Sequence, residues 1–194
     1  MITKTIMALA VLTAAISVAP ASDKKSLVAQ QPPSCPGCVW NRLSKALYGP
    51  WWLKDGWYVG LNGVYGDGIL VYPNYDGIVY KVTVPVNYVS GTNAVNVAVY
   101  SDAGGLPGSV LATKQFTNLP ALGSCCTPIV WKTNVPVTQG VPVWVVVSVN
   151  GGTEVVWNYD VTDQVDPVTA AYNDGSGWTS FSALPSMAGR VQAR

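Results

Sequence analysis

Valine sets the first limit on what this chain can become. Val95, Val97 and Val99 alternate with Asn96 and Ala98, and the same period of two returns in residues 110–116, 129–137 and 154–159. β-Branched side chains lose χ1 freedom in a helix and pack well on a pleated surface. Glu154 is the single glutamate, so a good helix former is scarce as well. Alternation of this kind reads as a series of half-buried strands. In residues 78–88, Ile78, Tyr80, Val82, Val84, Val86 and Tyr88 fall on one face, and Lys81, Thr83, Pro85 and Asn87 on the other. Pro85 has no N–H for a ladder, so this strand is expected at a sheet edge or bulged there. Residues 143–149 are apolar on both faces, which predicts a central, covered strand. Trp131 and Trp144 alternate with apolar neighbours and read as packing residues.

Turn signals punctuate the strands at 101–108, 118–120, 138–140 and 150–152. There Gly and Asn supply positive φ and Pro pre-sets the turn. Many short strands at this spacing predict an all-β fold, an antiparallel β-sandwich of jelly-roll-like form, over residues 51–194. The segments are too unlike one another to be propeller blades or solenoid repeats.

The two ends of the chain read differently. Lys4 precedes an apolar run over residues 6–18, and Ala19-Pro20-Ala21 follows with the small residues that a signal peptidase reads. Residues 1–21 are therefore expected to be a signal peptide, cleaved after Ala21, and the apolar run is too short for a membrane anchor. No Cys follows the run, which speaks against a lipoprotein, and no later stretch reads as a transmembrane anchor. The protein is expected to be secreted or periplasmic. Residues 22–50 form a short irregular N-terminal extension, a linker with a Cys35-Pro36-Gly37-Cys38 lead-in, in which residues 39–47 could make one or two helical turns.

Charge narrows the partners. The chain has 11 Lys+Arg and 10 Asp+Glu, so removing Lys4 leaves ten of each sign. A neutral mature chain with no basic cluster is a poor match for nucleic acid, whose binding rests on counterion release.

Chemistry is narrowed further by the absence of histidine. That removes the usual general base, the Ser-His-Asp and Cys-His arrangements and most transition-metal sites. Glycosidases need two carboxyls flanking one bond. Glu154 and Asp160, both near Trp157, can be imagined as such a pair, and a solvated strand residue beside a turn Asp is the simpler reading. No catalytic residue is assigned, and the chain is not expected to be an enzyme. No cofactor is expected, although Asp160, Asp163 and Asp166 make a candidate calcium site. Calcium takes six to eight hard oxygens; the spacing is not that of an EF-hand, and polar loop chemistry, Asx-turns in particular, is the simpler reading of such a run.

Cys35, Cys38, Cys125 and Cys126 are disulfide candidates, since an even count in an exported chain implies bridges. Three connectivities are open. Cross-pairing would close the longer loop and stabilise more. A redox Cys-x-x-Cys would need a strand-to-helix setting, and a four-Cys zinc site would need better-spaced chelators than two adjacent residues.

Several stretches are similar to bacterial exported β-sandwich domains of the choice-of-anchor type. Tyr100-Ser101-Asp102 is followed by Gly104-Gly105-Leu106-Pro107-Gly108-Ser109-Val110-Leu111-Ala112. The resemblance continues in Cys125-Cys126, in residues 139–147, and in Gly175-Ser176-Gly177-Trp178. It covers roughly residues 60–191. Where such domains carry a Gly-Thr-x-Tyr-Trp-like stretch, this chain has Gly140-Val141-Pro142-Val143-Trp144, a departure that bears on turn geometry. The resemblance implies a surface or secreted β-sandwich, supplies no catalytic residue, and through its adjacent cysteines favours local disulfide pairing.

Aromatics give the best functional clue. There are 8 Trp and 10 Tyr against 2 Phe. Trp and Tyr pair a flat apolar face with a polar edge, which serves both sugar stacking and protein interfaces. Trp157, Tyr159, Tyr172 and Trp178 are the candidate ligand-binding residues; Trp51, Trp52, Trp57 and Tyr58 form a second cluster. Trp157 shares a face with Val155, so packing competes with binding there. The expected function is a non-catalytic exported binding module, for glycan above all. A structural or adhesive surface component, binding protein or itself, is the alternative, and a carboxylate-based glycan-active enzyme a distant third.

Overall fold

A computed structural model describes residues 56–124, 127–160, 168–183 and 185–194, together with the backbone of 38–41. All lie in one unit, residues 32–194. The strands, in chain order, are β1 (Cys38–Asn41), β2 (Gly56–Val59), β3 (Gly66–Val71), β4 (Gly77–Val84), β5 (Val86–Gly91), β6 (Ala94–Asp102), β7 (Pro107–Thr117), β8 (Ile129–Val137), β9 (Val143–Ser148), β10 (Thr153–Asn158), β11 (Val168–Asn173), β12 (Trp178–Ala183) and β13 (Arg190–Ala193). Among the described residues the only helical element is a 3-10 turn at Leu61–Gly63.

The strands form three antiparallel sheets: a six-stranded sheet in the order β12-β11-β3-β9-β6-β7, a four-stranded sheet β1-β13-β4-β8, and a three-stranded sheet β2-β10-β5. Pro85 explains why the two smaller sheets belong together. It is the one residue between β4 and β5, and its carbonyl accepts the Asn158 N–H at 3.0 Å. Lacking an N–H of its own, it interrupts the ladder and lets one strand pass from sheet to sheet. Val82, Val86 and Val155 from the smaller sheets meet Ile69, Val97 and Val145 from the large one in a single buried cluster. The fold is an all-β sandwich. Each fully buried Val, Leu or Ile contributes about 1.5–3 kcal/mol, and the Val-rich alternation supplies most of these positions.

Two local expectations are corrected. Residues 78–88 are two strands, and the register slips between Val79 and Lys81. A bulge reverses the in–out alternation. Val79 thus enters the core while Ile78 and Tyr80 stay partly exposed. The helical turns expected over 39–47 are replaced, in the part described, by β1, which pairs with β13. Pairing with a distant strand outweighs weak local helix propensity. Residues 143–148 do form a central strand, β9, flanked by β3 and β6, and Trp131 and Trp144 are both buried.

Candidate functional site on the outer face of the six-stranded sheet

Ile69, Val97, Val145 and Ala170 point into the core, so their neighbours along each strand point out. Pairing register arranges the outward residues in rows across the strands. The first row is Trp178, Asn173, Gly66, Ser148, Asn96 and Gln115, one residue from each strand in order. The second is Ser180, Ala171, Gly68, Val146, Ala98 and Thr113. Leu70, Trp144, Tyr100 and Val110 make a third.

The middle row is all small or short side chains, and the rings of Trp178 and Tyr100 pack over it. A Cβ on Gly66 would lie 3.2 Å from Cη2 of Trp178, so the glycine makes room for the indole. The two ring centroids are 6.1 Å apart with planes at 73°, the edge-to-face arrangement that aromatic quadrupoles favour. With Leu70 these rings cover Trp144, Val146 and Ala171, which are fully buried. Trp178 and Tyr100 are themselves half-buried. Their remaining surfaces meet at a steep angle and form a corner.

Polar groups fix the corner in place. The Asp102 carboxylate accepts the Trp144 indole N–H at 2.8 Å and the Gly105 N–H at 3.1 Å. Burial pushes the Tyr100 phenol up from its ordinary value. At the other side, Asn173 Oδ1 accepts the Gly175 N–H at 2.7 Å. Ser176 donates to Asp174 from its hydroxyl and its N–H, at 2.7 and 2.9 Å. These bonds hold the Asp174 carboxyl below the usual range. The exposed Tyr65 sits with its ring edge beside Gly175.

The four aromatic candidates separate. Trp178 stands in the corner. Trp157 does not face a ligand at all: it is 0% exposed and donates its indole N–H to the Ala188 carbonyl at 2.8 Å. This corrects its reading as a binding residue, since the alternation along β10 turns Trp157 inward with Val155. Tyr172 points inward, its ring 6.0 Å from Phe181. Tyr159 meets Trp57 edge-on at 6.2 Å, and Trp57 lies 5.0 Å from Phe181. Trp57, Tyr172 and Phe181 thus belong to the inner side of the sandwich.

The other candidates divide in the same way. Asp160 is buried, with its N–H on the Ser186 carbonyl at 2.8 Å; Asp163 and Asp166 lie outside the described residues. So do Cys35, Cys125, Cys126, Trp51, Trp52 and residues 1–21, while the Cys38 backbone lies opposite Gln192. Glu154 accepts a hydrogen bond from the Ser90 hydroxyl at 3.1 Å. Six residues of extended chain, about 20 Å, separate it from Asp160, so the two do not flank one bond.

Tyr100, Asn96 and Ser148 were not singled out from sequence. The alternation of Asn96, Ala98 and Tyr100 against Val95, Val97 and Val99 was the available signal, and it marks an outward face without saying what that face meets.

One further acid is unusual. Asp67 faces inward on β3, directly between Tyr172 of β11 and Val147 of β9. It is 2% exposed, and its Oδ2 has no hydrogen-bond partner among the described residues. Desolvation raises its pKa from 3.8 to about 7.

Comparison of the chain with protein-family models, with curated proteins and with solved structures found no match.

Proposed function

We propose that this chain is an exported, non-catalytic binding module that holds glycan on the Trp178–Tyr100 corner. The observation that carries the reading is two half-buried rings set edge to face, the Trp178 indole over Gly66, on the face that also carries the amide and hydroxyl groups of Asn96 and Ser148. Ring faces take up the C–H face of a pyranose, and amides bond its hydroxyls; apolar surface with a few convergent polar groups is how small-ligand sites are built. Export rests on Lys4, the apolar run and Ala19-Pro20-Ala21. The reading contains no reaction, in keeping with a chain that lacks histidine. The test is retention of the mature protein on a panel of soluble and insoluble polysaccharides, with and without calcium. A Trp178→Ala, Tyr100→Ala double variant, verified as folded by circular dichroism, is the comparator. Retention of the parent and its loss in the variant is the expected result. Equal retention of both moves the ligand elsewhere on the molecule, and no retention of the parent ends the reading.

One observation favours a structural role instead. Edge strands β7 and β8 carry Pro107 with Lys114, and Pro136 with Lys132, residues that discourage strand addition. The edge strand β12 reads Trp-Thr-Ser-Phe-Ser-Ala and carries neither Lys nor Pro. Under this reading size-exclusion profiles shift with concentration, and Ser180→Pro abolishes the shift.

A further inference from the structure

We infer that the glycan of this site is an uncharged, extended β-1,4-linked ribbon lying across the strands along the row from Trp178 to Gln115. This rests on the glycan reading of the corner and adds the charge, shape and length of the ligand.

Charge comes from the composition of the face. None of the outward residues in the three rows is Lys or Arg. The nearby acids are Asp102, engaged with Trp144 and Gly105, and Asp174, exposed in the turn before Trp178. A uronate or sulfated sugar would meet carboxylates with no cation to offset them, and burying an unpaired charge is costly. A neutral sugar meets only amides, hydroxyls and rings.

Shape and length come from register. The first row takes one residue from each of six adjacent strands. Strands stand about 4.8 Å apart; the indole covers the row as far as Gly66, so the three open steps from Gly66 to Gln115 span about 14 Å, room for about three pyranose rings end to end. Along that line Ser148, Asn96 and Gln115 make no side-chain hydrogen bond among the described residues, and Asn173 uses only its Oδ1. Donors and acceptors are therefore free at successive steps. A straight ribbon can lie along such a line; a helical glycan touches it at one point. The indole stops one end of the row, and the amide of Gln115 lies at the other.

The test is calorimetric titration of the mature protein with neutral β-1,4-linked cello-, xylo-, manno- and chito-oligosaccharides of two to six units. Malto-oligosaccharides supply a helical arm and oligogalacturonates a charged arm. At least one neutral β-1,4 series is expected to bind with affinity that climbs up to about three or four units and then levels, without dependence on salt. Asn96→Ala and Gln115→Ala are expected to weaken the hexasaccharide of that series about three- to tenfold, one hydrogen bond each, and to leave the disaccharide unchanged. Affinity that levels at two units, or equal binding of malto-oligosaccharides or oligogalacturonates, overturns the ribbon and leaves a glycan site at the corner standing. Failure of every oligosaccharide to bind removes both.

Discussion

The Asp102 carboxylate and the Trp144 indole N–H are joined by a 2.8 Å hydrogen bond that ties the β6–β7 turn to the middle of the six-stranded sheet. Both oxygens of the same acid also accept the Gly105 N–H at 3.1 Å. Ser101 Oγ accepts the Ser109 N–H at 3.0 Å, and Gly104 and Gly105 take φ of 70° and 86°. The Tyr-Ser-Asp and Gly-Gly stretch therefore has a structural task. It closes the turn and seats Trp144 beneath the corner that Tyr100 helps to form.

Removing that acid leaves a buried indole N–H and a turn N–H without their acceptor. Asp102→Ala is expected to cost about 1.5–3 kcal/mol, the range for a hydrogen bond to a charged group. In urea denaturation the midpoint falls accordingly. Adding Trp144→Phe removes the stranded donor and is expected to restore part of the loss. An unchanged midpoint in the single variant means that the bond contributes nothing.

Trp157 and Trp178 are expected to part company under mutation. Trp157 is fully buried and hydrogen-bonded, so Trp157→Ala creates a large cavity and is expected to cost about 3–5 kcal/mol. Trp178 is half-buried on the outer face. Trp178→Ala is expected to cost less than half as much while removing polysaccharide retention. Thermal melts alongside pull-downs separate the two effects. A Trp178 loss as large as that of Trp157 makes the corner primarily a packing device.

What could be read from the chain alone was local. Val95, Val97 and Val99 announced their strand because period two needs only neighbours, and β9 announced its central place because both its faces are apolar. Pro85 marked an interruption, but whether it ends a strand or carries it into another sheet depends on Asn158, far along the chain. The same limit governed the site. Trp178 is adjacent to a glycine-rich turn and was legible as a candidate binding residue. Its partner Tyr100 comes from a strand far away in sequence, and Gly66, which makes room for the indole, comes from a third. Short strands such as β3, with glycines at outward positions, escape a hydrophobic pattern because their outward face is defined by what lies on it.

Gly66 offers a way to disturb the corner without touching its rings. A Cβ there would stand 3.2 Å from Trp178 Cη2 and 3.3 Å from the Ser148 Cβ. Gly66→Val is therefore expected to lift the indole out of place. Since the ring lies at the surface, the expected stability cost is about 1–2 kcal/mol, and retention on polysaccharide is expected to fall as far as in Trp178→Ala. Normal retention in a folded Gly66→Val variant means that the seated position of the indole does not matter for binding.

Asp67 makes stability depend on pH in a direction opposite to that of a salt-bridged carboxylate. Its pKa is about 7 in the folded protein against 3.8 for the unperturbed group, and desolvation is the cause. Between these values the folded chain holds a proton that the unfolded chain has lost. The stability contribution is thus complete below about pH 4, declines as pH rises, and is gone above about pH 7. The full span is on the order of 4 kcal/mol. Asp67→Asn keeps the shape of the neutral acid and cannot ionise, so it is expected to raise the melting temperature at pH 8 and to change it little at pH 4. The difference between parent and variant, followed by melts from pH 4 to 8, isolates this group from every other titration. A difference that stays constant across that window shows that Asp67 ionises at its ordinary pKa, with water reaching it between Val147 and Tyr172.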